Sequence, residues 1–142
     1  MITSRSTLSI EPEMAVLTVA VGILIDNGGR VLVSRREKGT HQGGLWEFPG
    51  GKVEPSETIA EALSRELQEE LGVLVEAAEH FMVTDHDYGD KQVKLDVYRV
   101  TRWQGEARGL EGQPLAWKLP VELLAWPFPS ANIPILKRLL AH

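Results

Sequence analysis

The sequence predicts one α/β domain built on a mixed β-sheet, and three observations predict it. The chain has 142 residues, 43% of them apolar, which is enough for one buried core and too little for two. Runs rich in β-branched residues alternate with segments of helical period, as in an α/β layer structure. No repeat, low-complexity tract or linker interrupts residues 14–142, so these are expected to form a single domain. Residues 1–13 are polar, contain Pro12, and are expected to be a flexible N-terminal arm.

The elements follow in order. Residues 16–25 are a continuous apolar run, too apolar for a surface strand and therefore a central one. Asp26-Asn27-Gly28-Gly29 tolerates the positive φ of a hairpin turn, and residues 30–36 are expected as the returning strand. Residues 37–44 form a polar loop. Residues 45–48 form a short strand, ended by Pro49-Gly50-Gly51, and residues 52–57 are a loop. Residues 58–71 are a helix that Gly72 terminates. Residues 73–85 and 92–103 are two further strands around a turn at Tyr88-Gly89-Asp90-Lys91. After a loop over 105–114 come a strand at 115–119, a short helix at 121–126 and a C-terminal helix at 133–141. Pro127, Pro129 and Pro134 bracket the loop between the two helices.

Composition excludes several functions. There is no cysteine, hence no disulfide scaffold, thiolate metal site or cysteine nucleophile. Fifteen basic residues against twenty acidic ones leave a net charge of −5, the wrong sign for gripping a nucleic-acid polymer. No apolar run approaches the roughly 20 residues of a membrane span, and residues 1–13 lack the apolar stretch of a secretory signal. A cytoplasmic monomer acting on a small molecule is expected. A phosphorylated ligand is still compatible with the charge if metal ions supply the positive end.

The helix over 58–71 carries Arg65-Glu66-Leu67-Gln68-Glu69-Glu70. At about 100° per residue from Ile59, the apolar stripe of Ile59, Leu63, Leu67, Ala60 and Leu71 spans roughly 0–120°. Glu66 and Glu70 fall at about 340° and 20°, with Glu69 at about 280°. A glutamate-rich helix is ordinarily a solvated face laced with i,i+4 ion pairs. That reading fits poorly here: no lysine lies along this edge, and Glu66 and Glu70 are an i,i+4 like-charge pair beside the core. A divalent cation with hard oxygen ligands, Mg²⁺ or Mn²⁺, removes the conflict. Upstream, Gly50-Gly51 permits close backbone approach, and its carbonyls can add ligands. Glu57 stands near the helix N-terminus, where a carboxylate is favoured. Arg65 is either its clamp or a plain surface residue.

Gly51, Glu57 and the run from Arg65 to Val73 match the Nudix box at every defining position, so the chain resembles the Nudix hydrolase family. Residues 45–52, Arg35-Arg36, Trp103-Gln104-Gly105-Glu106, Glu111-Gly112-Gln113-Pro114 and Pro129-Ser130-Ala131-Asn132 are similar to the MutT-type subgroup. The resemblance implies a Nudix fold, with a mixed β-sheet sandwiched between helices (α/β/α). It implies Mg²⁺-dependent hydrolysis of a nucleoside triphosphate to the monophosphate and pyrophosphate, with 8-oxo-dGTP the expected substrate. It further implies that Glu66, Glu69, Glu70, the Gly50 carbonyl and Glu111 hold metal, that Glu57 and Arg65 support them, and that Glu66 or Glu111 is the general base. Without the resemblance, Glu111 reads as an ordinary loop acid.

Asn132 is the expected reader of the base. Its carboxamide can donate to O6 and accept from the N7–H that 8-oxoguanine carries and guanine lacks. The competing reading makes it the N-cap of the last helix. Phe48 is a candidate wall of the base pocket, with core packing as the alternative, and Arg36 is a candidate contact to sugar, base or phosphate. Lys91 stands near a place where MutT-type proteins often have arginine, and lacks its planar fork. His41, His80 and His86 have no spacing that suggests zinc or a catalytic triad. The competing functions are a Nudix pyrophosphohydrolase acting on a CTP-like pyrimidine nucleotide and a domain that only binds nucleotides.

Overall fold

The computed structural model describes residues 15–37 and 43–141. The arm expected over residues 1–13, and His41, lie outside the described residues. The elements are β1 (Ala15–Leu24), β2 (Val31–Arg35), β3 (Trp46–Glu47), β4 (Gly50–Lys52), α1 (Ile59–Leu71), β5 (Leu74–Asp87), β6 (Lys91–Gln104), β7 (Leu115–Lys118) and α2 (Ile133–Leu140). Two 3-10 turns, Pro120–Ala125 and Ser130–Asn132, precede α2.

The strands form a mixed sheet in the order β4-β1-β6-β5 and an antiparallel sheet in the order β3-β2-β7. β1 runs parallel to β6 along its whole length, from Ala15↔Lys91 to Leu24↔Val100, and antiparallel to β4 at Val19–Val21. Both faces of β1 are buried from Ala20 to Leu24, which explains the apolar run there. Val21 and Ile23 enter one core with Val97, Leu123, Ile135 and Leu136; Ala20 and Leu24 enter another with Leu63, Leu67, Leu71 and Val100. The mixed sheet therefore lies between α2 and α1. The second sheet feeds both cores, Val31 and Val33 joining the first and Leu32 the second.

Helix α1 begins in a capping box. The Thr58 hydroxyl accepts from the Glu61 amide at 3.1 Å, and the Glu61 carboxylate accepts from the Thr58 amide at 2.8 Å. It ends at Gly72, at φ 73°, whose N–H donates to the Gln68 carbonyl.

Several expectations change. The turn at 26–29 forms, with the Asp26 carboxylate accepting from the Gly28 and Arg30 amides, but the strands it joins splay into different sheets and share only the Ile25↔Val31 bridge. β1 already has β6 and β4 on its two edges, which leaves β2 no place beside it. Gly50-Gly51 begins a strand rather than ending one, and the strand before it shortens to Trp46–Glu47. The short helix expected over 121–126 is a 3-10 turn entered through Pro120. Ala60, expected in the core stripe, is exposed, and Ala62 is buried instead. Ala62 lies at about 300° on the helix, so the buried arc runs from about 300° to 120° and encloses Glu66 and Glu70 rather than ending beside them.

Candidate active site

The site is built where β4, α1 and the loop before β7 meet. β4 presses against β1 so closely that a Cβ on Gly50 would stand 2.1 Å from the Ala20 carbonyl oxygen. A Cβ on Gly51 would stand 2.2 Å from Cδ of Glu66, so the missing side chain is the berth in which the Glu66 carboxylate rests. Arg65 ties the helix to the preceding loop. Its Nη2 donates to Oε1 of Glu57 at 2.9 Å and to the Lys52 carbonyl at 3.0 Å, and Nη1 reaches Glu66 at 3.0 Å and Glu69 at 3.3 Å. The fork on Glu57, helped by the Glu54 amide, holds that carboxyl down at about 2. The same carboxylates push the Arg65 guanidinium still further above its ordinary range.

Glu70 is in the opposite situation. Burial, then the hydrogen bond and charge of Glu66, then the charges of Glu111 and Glu47, push its carboxyl up to about 9. Glu47 is also raised, because its burial outweighs the Arg36 guanidinium beside it at 3.1 Å. Glu66, Glu111 and Glu47 thus all bear on Glu70, which stays protonated unless a cation arrives. A divalent ion with oxygen ligands fits this donor set. The cage is not closed: among the described residues no three acidic or histidine side chains converge as a finished metal site. Arg65 engages two of the expected ligands, Glu66 and Glu69, and the Glu69 side chain is 56% exposed.

From this acidic corner a cleft of about 470 Å³ runs toward α2. Gly50, Gly51, Glu70 and Glu111 line one end, and Phe48, Pro129, Ala131 and Asn132 another part of the wall. Phe48 serves as both wall and core residue: it is 4% exposed, and its ring stands 5.5 Å from that of Phe128. Asn132 is at the N-cap position of α2 yet makes no side-chain cap, because the 3-10 turn before it already carries the chain into the helix. Its Oδ1 instead accepts from the Phe48 amide at 3.3 Å. Arg36 lines the cleft while paired to Glu47. Lys91 is not among the lining residues; its ammonium lies 5.9 Å from the Tyr88 ring, and Tyr88 does line the cleft. His80 accompanies buried Asp96 at 2.8 Å, and His86 packs edge-on against Tyr88, both away from the acidic corner.

Of the lining residues to which the sequence reading gives no role, two bear directly on Glu70. Glu47 is one, on a strand too short to show alternation. Gln113 is the other: its side chain bonds both the Glu111 amide and the Glu70 carbonyl. Its signal was the polar side chain inside Glu111-Gly112-Gln113-Pro114.

A family model described as the NUDIX domain matches residues 20–138. The chain belongs to the Nudix family. This Nudix chain is 39% identical over 126 residues to an 8-oxo-dGTP diphosphatase of Escherichia coli K12, covering 89% of itself and 98% of the relative. It is 36% identical over 121 residues to a CTP pyrophosphohydrolase of the same organism, covering 85% of itself and 90% of the relative. Among solved structures, one from work on MutT of Aliivibrio salmonicida and Vibrio cholerae superposes with a TM-score of 0.79 at 34% identity, covering 89% of this chain and 98% of the other. Nudix hydrolases generally need a divalent metal.

Proposed function

We propose that this Nudix hydrolase is a Mg²⁺-dependent pyrophosphohydrolase that converts 8-oxo-dGTP to 8-oxo-dGMP and pyrophosphate, with Mn²⁺ as a substitute metal. The observation that carries the reading is one cleft joining the acidic corner, where Glu66, Glu111 and Glu47 bear on Glu70, to a wall bearing Phe48 and the Asn132 carboxamide. The similarity to a relative named for 8-oxo-dGTP supports the same substrate.

Glu66, Glu69, Glu70, Glu111 and the Gly50 carbonyl would hold the metal, which when bound neutralises phosphate oxygens and acidifies water. Glu57 and Arg65 hold the β4–α1 loop so that Gly51 stays over Glu66. Glu111 lines the cleft, whereas Glu66 is turned behind Gly51 toward Arg65, so we assign the proton of the attacking water to Glu111. Water bonds to the β-phosphorus and the bond from that phosphorus to the oxygen bridging to the α-phosphate breaks. The nucleoside monophosphate and pyrophosphate are released.

The Phe48 amide uses one lone pair of Asn132 Oδ1, which orients the carboxamide and leaves its second lone pair and the Nδ2 hydrogens for a base edge. Donation to O6 and acceptance from N7–H suit 8-oxoguanine, while N7 of guanine meets the same oxygen with a lone pair. Arg36 is the proposed contact to the sugar or phosphate, and Lys91 a weaker one. The proposal includes a monomer acting in the cytoplasm on a small molecule; among the described residues no helix is long and apolar enough to cross a membrane.

The second reading, a CTP-like substrate, draws on the 36% identical relative. An acid at position 132 would suit a cytosine-like base better than the carboxamide does. The deciding experiment compares kcat/KM for 8-oxo-dGTP, dGTP and CTP with Mg²⁺. The proposal requires 8-oxo-dGTP to lead by about a hundredfold; a lead for CTP replaces it with the second reading.

A further inference from the structure

A helix leaves its last carbonyls without intrahelical partners. In α1 these are filled by the loop that carries Glu111. The Arg108 amide donates to the Leu71 carbonyl at 3.0 Å, and the Leu110 amide to the Glu70 carbonyl at 3.1 Å. The Gln113 side chain closes the arrangement from the far side. Its Nε2 donates to the Glu70 carbonyl at 3.0 Å, and its Oε1 accepts from the Glu111 amide at 2.9 Å. One carboxamide therefore spans the backbone of two acids 41 residues apart in sequence, one on the helix and one on the loop.

Nothing else among the hydrogen bonds described fixes Glu111 itself. The Gly112 amide donates back to the Gly109 carbonyl at 3.0 Å, closing a turn around Leu110 and Glu111, and the Pro114 carbonyl anchors the loop's end on the Arg35 amide at 3.1 Å. Glu111 is exposed at the tip of that turn, and among the described residues its own amide is held by Gln113 alone. We infer that Gln113 is a positioning residue for hydrolysis: its carboxamide sets the distance between the Glu111 loop and the Glu70 end of α1. This rests on the proposed role of Glu111 and Glu70 at the reacting phosphate. The chemistry needs a group with a donor and an acceptor at the same reach, which asparagine is too short to supply and glutamate and methionine cannot supply at neutral pH.

The test uses the full chain with Gln113→Met, Glu111→Gln and the double variant, assayed for Mg²⁺-dependent pyrophosphate release from 8-oxo-dGTP. Gln113→Met is expected to lower kcat by about 10- to 100-fold with KM for the nucleotide changed less than about twofold, since the base wall is untouched. In the Glu111→Gln background the same substitution should cost less than about twofold, because a clasp without its carboxylate has nothing left to place. Amide exchange at Glu111, followed without substrate or metal, should accelerate in Gln113→Met while amides in the centre of α1 keep their protection. A full, independent loss in the double variant, or unchanged exchange at Glu111, overturns the inference and leaves the proposed function standing. Absence of pyrophosphate release from the unsubstituted chain overturns both.

Discussion

Gly50 and Gly51 are neighbours, and the structure gives alanine opposite consequences at each. At Gly51 the added methyl would stand 2.2 Å from Cδ of Glu66 and 2.4 and 2.5 Å from its oxygens, where ordinary contact begins at 3.4 Å. The obstacle is the end of a flexible side chain, so the fold survives and the carboxylate retreats by about 1.2 Å. That retreat loosens its 3.0 Å bond to Arg65 and takes it out of the acidic corner. A misplacement of about 1 Å in a reacting assembly costs on the order of a hundredfold in rate. At Gly50 the methyl would stand 2.1 Å from the Ala20 carbonyl oxygen and 2.9 Å from Val21 Cα, both backbone atoms of the central strand, which cannot yield. Overpacking of this kind costs about 1–3 kcal/mol or more, a Tm lower by about 3–9 °C. The assay pairs thermal unfolding with kcat for pyrophosphate release. Gly51→Ala should melt within about 2 °C of the parent yet lose about a hundredfold in kcat; Gly50→Ala should lose stability first. Full turnover in folded Gly51→Ala would refute the argument that Glu66 works from its berth on Gly51.

Glu66→Gln and Glu70→Gln should each abolish Mg²⁺-dependent pyrophosphate release while circular dichroism stays that of the parent; unchanged turnover in both removes the metal assignment. Asn132→Ala should erase the preference for 8-oxo-dGTP over dGTP with turnover otherwise retained. Its side chain caps nothing, but the Phe48 amide loses its acceptor, so Tm should fall by no more than corresponds to the roughly 1–3 kcal/mol of one unsatisfied buried donor. An equal loss on both nucleotides points to packing instead. In EDTA, stability should depend on Glu70: its folded carboxyl titrates at about 9 against an ordinary 4.5, so it favours folding below about 4.5 and loses that contribution as pH rises to 9. Urea midpoints across that range should fall with pH in the parent and flatten in Glu70→Gln, and a parent curve without this component contradicts the burial of Glu70 among Glu66, Glu111 and Glu47.

Local signals carried the parts of the site that lie on one element. Helix α1 shows its period, its terminating Gly72 and its acids in a single stretch, and Thr58 and Glu61 stand at capping-box spacing. What the chain does not show is which strands become neighbours. The Asp26–Gly29 turn looks the same whether it closes a hairpin or a corner between sheets, and the partner that excludes β2 from β1 arrives with β6. Ala60 and Ala62 are indistinguishable by hydropathy, so the angular centre of the buried arc was misplaced although its existence was evident. Asn132 has the sequence of a cap, and only the 3-10 turn at Ser130–Asn132 shows that the helix needs none. Glu47 and Gln113 act through partners far along the chain, Glu70 among them, which no local pattern encodes.

The parallel pairing of β1 with β6 also has a consequence for biosynthesis. Ala15 meets Lys91, so the central strand emerges from the ribosome 76 residues before its main neighbour. At about 5–20 residues per second, this leaves it waiting some 4–15 s as an apolar ribbon with open edges. Closing so long a loop spends its entropy before the pairing rewards it, which makes this pairing a slow step. Nascent chains stalled between β4 and β6 should therefore be chaperone clients, and those released with β6 complete should not.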